Sequence, residues 1–138
     1  MVSTVHDLWP KDIATSLPRA PVVLLREQAA LLGPKTSNIV MAKVETSSFD
    51  DTIRHDFVLV APSLGNYKFR LFTVSHEATL YPVTVAYGDQ SWRCEAEGSF
   101  VQVVGQVLSS DTTVKVVRAL LAQSAGDTAE AEDPFGDQ

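Results

Sequence analysis

A chain of 138 residues with 45% hydrophobic content has room for one domain with a real core, and its single cysteine, Cys94, excludes an internal disulfide framework. No apolar run approaches the length of a membrane span, and no basic segment followed by an apolar stretch opens the chain, so the expectation is a cytoplasmic protein without a membrane anchor. The net charge of −6 is uneven: residues 125–138 hold five acidic side chains and no Lys or Arg, which leaves twelve acidic against eleven basic elsewhere and argues against a broad nucleic-acid-binding surface.

Residues 1–18 read as an irregular arm, because Trp9-Pro10 and Leu17-Pro18 each disfavour helix at the residue before proline. Its Leu8, Trp9, Ile13 and Leu17 are apolar enough to lie across the body. A helix starts near Ala20 or Pro21, where proline in the first turn costs no hydrogen bond, and Val22, Leu25, Ala29 and Leu32 follow helical spacing. Gly33-Pro34 predicts its end.

Four strands with period-two alternation follow, at about Asn38–Ser47, Ile53–Ala61, Tyr67–Ser75 and Leu80–Tyr87. The turn-rich segments between them are short, so neighbours pair as antiparallel hairpins. A fifth short strand is expected at Trp92–Glu97. Two helices follow, near Gly98–Leu108 and Thr112–Gln123, with Ser109-Ser110-Asp111 breaking the first and capping the second. The fold class is α+β: an N-terminal helix, an antiparallel four- to five-stranded meander, two C-terminal helices and a disordered acidic tail. The domain spans 19–124 and the tail 125–138.

Alternation also proposes a register. Ala61 opposite Tyr67 aligns Leu59 with Phe69, Phe57 with Leu71 and His55 with Thr73; Val40 is set opposite Leu59, and Leu71 opposite Val85. These side chains form the core face. The other face then carries Ile39, Met41, Val58, Val60, Phe72 and Val74 among Lys43, Asp56, Lys68 and Arg70. An apolar cluster rimmed by charge is the pattern of an interaction surface. In this register Lys43 stands opposite Asp56, and Arg70 is diagonal to it, within reach of an ion pair.

Chemistry-bearing motifs are sparse. His6, His55 and His76 have no metal-ligand spacing, no Gly-x-Ser-x-Gly turn is present, and Gly33 and Gly65 form no phosphate-binding loop. Neither a catalytic residue, a cofactor site nor a metal site is assigned. Two functions follow. The first is a non-catalytic cytoplasmic protein-interaction module (an adaptor, an immunity- or antitoxin-like partner, or a chaperone-like protein) that binds a protein partner or self-associates as a homodimer through the second sheet face. The alternative is a small-molecule-binding domain or enzyme with a pocket between sheet and helices, lined by His55, Tyr67, Thr73, Tyr81 and Tyr87.

Overall fold

The computed structural model describes the backbone of residues 6–132 and the side chains of residues 6–124. In chain order the elements are α1 (Pro21–Lys35), β1 (Met41–Phe49), β2 (Thr52–Ala61), a 3-10 turn at Pro62–Leu64, β3 (Tyr67–His76), β4 (Val83–Tyr87), β5 (Gln90–Cys94), α2 (Glu97–Leu108) and α3 (Asp111–Glu132). The five strands make one antiparallel sheet in sequence order. The α+β architecture is thus the one expected.

The corner after α1 explains a residue choice. The helix runs through Pro34 to Lys35 rather than stopping at Gly33. Glycine leaves room there for the Asn38 side chain, whose Oδ1 would stand 2.8 Å from a Cβ and would have to shift. Gly33 O accepts the Asn38 N–H at 2.8 Å, and Thr36 Oγ1 accepts the Val40 N–H at 3.1 Å. These bonds turn the chain directly into β1.

Two features shift the expected register. Between β1 and β2 the strands run on to a two-residue turn at Asp50-Asp51, with Asp50 in the left-handed region at φ 54°. Pairing moves by two residues, so Ala42 meets Leu59 and Val44 meets Phe57, with every side chain kept on its expected face. Lys43 therefore stands opposite Val58, and Glu45 opposite Asp56.

The second feature changes faces. From Ala61–Tyr67 to Val58–Arg70 the β2–β3 pairing is as expected, but a bulge follows and Phe57 pairs with Phe72, skipping Leu71. From there onward β3 is inverted relative to the expected alternation. Phe72 and Val74 turn to the core, where they are 2% and 0% exposed, and Thr73 turns away to pair with Asp56. The β3–β4 pairing follows suit, with Val74 opposite Val85 instead of Leu71. The physical reason is packing: the bulge keeps Leu71, Phe72 and Val74 all inside, whereas strict alternation would strand Phe72 and Val74 in water.

All three helices lie on one face. Leu24, Leu25 and Ala29 of α1, Phe100, Val104 and Val107 of α2 and Leu120 of α3 join the strands' Phe57, Leu59, Phe72, Val74, Val83 and Val85 in one core. Phe57 and Phe72 stack, with ring centroids 5.0 Å apart and planes 13° apart. The α2–α3 corner is tied to the sheet by Tyr87, whose hydroxyl lies 2.8 Å from Ser110 Oγ and 2.7 Å from Thr113 Oγ1. Ser110 caps α3 by accepting the Thr113 N–H at 3.3 Å.

At the chain ends the outcome differs from expectation. Residues 6–20 form local turns, but Leu8, Trp9, Ile13 and Leu17 stay exposed rather than lying across the body. Helix α3 continues past Gln123 as helical backbone to Glu132. Of the expected tail, 133–138 lies outside the described residues, as do 1–5 of the arm.

Candidate interaction surface

With the helices on one side, the opposite face of the sheet is open. Its rows run Met41–Val60–Lys68, Lys43–Val58–Arg70, Glu45–Asp56–Thr73–Ala86–Ser91, Ser47–Arg54–Ser75–Thr84–Arg93 and, at the hairpin end, Phe49–Thr52. Met41, Lys43, Asp56, Val58, Val60, Lys68 and Arg70 occupy it as expected. Ile39 does not, since it packs partly buried against the core together with Phe72 and Val74. The apolar cluster on this face is therefore smaller than the alternation implied. Val58 is 4% exposed between its cross-strand neighbours Lys43 and Arg70, whose long aliphatic stems suit it as cover.

The charges are what the fold concentrates. Lys43, Arg54, Lys68, Arg70 and Arg93, five of the chain's eleven basic residues, stand on this face against Glu45, Asp56 and, ion-paired to Arg93 at 2.7 Å, Glu95. The face is an electropositive area on a chain of net charge −6. Lys43 and Lys68 share one carboxylate, Glu45, at 3.1 and 3.6 Å. Arg54 Nε donates to Asp56 Oδ1 at 2.9 Å, and Thr73 Oγ1 donates to the same oxygen at 2.9 Å. Burial works to raise the Asp56 carboxyl, but the bonds from Arg54 and Thr73 and the nearby charges of Arg54 and Arg70 outweigh it and hold it below its ordinary value. Arg70 is exposed and makes no ion pair among the described residues.

The residues of the alternative pocket do not converge. His55 is buried on the core face, Thr73 is on the open face, and Tyr67 is half-exposed beside α3 at the far end of β3. Tyr87 is committed to Ser110 and Thr113. Tyr81 meets Phe100 edge-on at 6.4 Å, and its hydroxyl has no hydrogen-bond partner among the described residues.

One arrangement was allowed by the sequence, since His55 and His76 lie on neighbouring strands, but its geometry was not specified. His55 Nε2 lies 2.9 Å from His76 Nε2, both rings buried. His76 Nδ1 is 2.7 Å from Glu77 O, which can only accept, so that nitrogen carries the proton and His76 Nε2 accepts. His55 then donates from Nε2, and its Nδ1 accepts the Thr46 hydroxyl at 2.9 Å. Both rings are satisfied while neutral. Burial, the facing His76 and the charge of Arg26 push His55 down to about 4. The ring centroids are 5.0 Å apart, farther than the nitrogens by about two ring radii, so the rings meet nearly head-on. The His55 Nε2–H points at the His76 Nε2 lone pair and not at a shared third position, a geometry for a hydrogen bond rather than chelation. No group of three or more metal-ligating side chains occurs among the described residues.

Cys94 is also buried, on the core face of β5, and burial pushes its thiol up, away from the thiolate a nucleophile needs. No helix among the described residues is long and apolar enough to cross a membrane. No protein-family model, curated protein or solved structure matches the chain, so a functional reading rests on its own residues.

Proposed function

We propose that the protein is a non-catalytic cytoplasmic interaction module that docks an acidic protein segment on the open face of its sheet. The observation that carries this reading is the gathering of five of eleven basic side chains on one uncovered face of an acidic chain. Met41 and the partly buried Val60 give that face an apolar edge, and Arg70 offers an unpaired guanidinium near its centre. Phe49, 80% exposed opposite Thr52 at the end of β1, is the one aromatic side chain of these rows, and a single stacking platform at the edge favours a protein over a single-stranded nucleic acid. The locked histidine pair and the buried, protonated Cys94 support the non-catalytic reading. The cytoplasmic assignment rests on the single free thiol.

The test uses a labelled glutamate-rich peptide and the full chain. Replacing Lys43, Lys68 and Arg70 by Glu weakens binding by at least about tenfold, and raising salt weakens the wild-type complex in the same direction. Peptide binding that ignores both the triple replacement and salt sinks the proposal.

A further inference from the structure

Two apolar features of this chain lack a partner within it and match one another. The first is the arm. Leu8, Trp9, Ile13 and Leu17 are 86, 72, 55 and 69% exposed. The segment is nevertheless ordered by its own turns: Trp9 N–H donates to Asp7 Oδ1 at 3.0 Å, and Thr15 N–H to Asp12 O at 3.0 Å. It presents large apolar side chains on a defined backbone.

The second is a groove in the helix layer. Two hollows of about 240 and 310 Å³ share Gln28 and Leu108 and so form one channel between α1 and the α2–α3 pair. The core residues Phe57, Leu59 and Leu71 border its deeper part, and the half-exposed Leu31 and Val101 stand along it. Most of the exposed large hydrophobic side chains among the described residues belong to this layer and the arm; the sheet's open face contributes Met41 and, at its hairpin end, Phe49.

We propose that the arm of one copy seats in the groove of a second copy, and reciprocally, giving a twofold dimer. The arm's root points to exchange. Arg19 lines the mouth of the groove and is tied there by ion pairs to Glu27 and Glu97. The arm's four large apolar side chains stay exposed instead of seating in the groove of their own chain. The areas suffice. At about 100 Å² for each aliphatic side chain and about 200 Å² for tryptophan, weighted by exposure, one arm buries roughly 350 Å². Two arms with the groove surface they cover make about 1,400 Å², the scale of a stable interface. Reciprocal exchange also closes the assembly at two copies. This proposal is independent of the basic sheet face.

The experiment reads mass by light scattering and, in a Trp92→Phe background, the emission of Trp9 alone, across about 1–100 μM full-length protein. The expected result is a doubling of mass with a concentration-dependent blue shift of Trp9. The paired change Leu8→Ser with Trp9→Ser, and separately Leu31→Glu, return the mass to one copy and keep the thermal midpoint that the wild type shows when diluted to a monomer, since all three residues are exposed in one copy. A monomer at every concentration overturns the proposal. So does a blue-shifted Trp9 in a monomer, which would place the arm in its own groove, or a dimer that survives both arm and groove changes. A dimer lost only on charge reversal at Lys68 and Arg70 would assign self-association to the sheet face instead.

Discussion

Arg70 and Phe72 sit two residues apart on β3, a spacing that ordinarily puts side chains on the same face. Arg70 is exposed on the open face and Phe72 is 2% exposed against Phe57, because the bulge at Leu71 lies between them. The comparison extends along the strand. Before the bulge, β3 offers Lys68 and Arg70 to solvent; after it, Thr73 and Ser75 take the outer positions while Phe72, Val74 and His76 fill the core side. One extra residue decides which side chains stabilise the fold and which are left to meet a partner.

The sharpest way to break that division is to place the same charge at both positions. Phe72→Asp removes the stacked ring and buries an unpaired carboxylate, and it costs more than about 4 kcal/mol, enough to leave a domain of this size largely unfolded. Arg70→Asp changes stability by less than about 0.5 kcal/mol. Urea denaturation of the two variants measures both. Comparable costs would mean that the faces are not divided as described.

That pair of residues also marks where sequence reasoning reached its limit. The meander, the strand faces of β1 and β2 and the pairing up to Val58–Arg70 were legible, because alternation and turn residues specify them locally. The bulge was not. Leu71-Phe72-Thr73-Val74 alternates acceptably in either phase, and only the three-dimensional core chooses the phase that buries Phe72 and Val74. The cations of β1, β2 and β3 were legible on the open face, because alternation alone places Lys43, Lys68 and Arg70 there, and the bulge moves none of them. Arg93 was not, since its place depends on the pairing of β5 with β4. For the histidine pair the neighbouring strands allowed convergence, but with His55 opposite Thr73 no ring contact with His76 was specified, whereas the bulge sets His55 opposite Val74 and His76 next to it across Ile53.

The histidine pair gives the next largest effect and sharpens the contrast between a closed face and an open one. His55 titrates near 4 in the fold against an ordinary 6.5. The unfolded chain therefore binds the proton first as pH falls, and the fold loses stability from about pH 6.5 down to about pH 4, by up to about 3 kcal/mol, then no further from this group. His55→Gln keeps an amide that can bond both Thr46 and His76 but cannot titrate. Urea midpoints across this range are expected to show the wild type's advantage over His55→Gln shrinking as pH falls. A constant difference would mean that His55 is not held neutral by its burial.

On the open face the corresponding effect is smaller and opposite in origin. Asp56 is favoured when charged, by Arg54 and Thr73, and its side chain is 19% exposed. Asp56→Asn keeps the shape and gives up the charge. At neutral pH it costs about 1 kcal/mol, less than a buried pair, because water screens part of the interaction. The sign follows from a folded pKa below the unfolded one: the stabilisation is present above the unfolded carboxylate range and is lost as pH falls through the folded value, so the wild type and Asp56→Asn converge in acid. Glu45, half-exposed between Lys43 and Lys68, sets the lower bound, and Glu45→Gln has the smallest effect of the series, one that vanishes in high salt. If Asp56→Asn were as mild and as salt-sensitive as Glu45→Gln, then Thr73 would not be holding that carboxylate in place, and the outward turn of Thr73 after the bulge would carry no energetic weight.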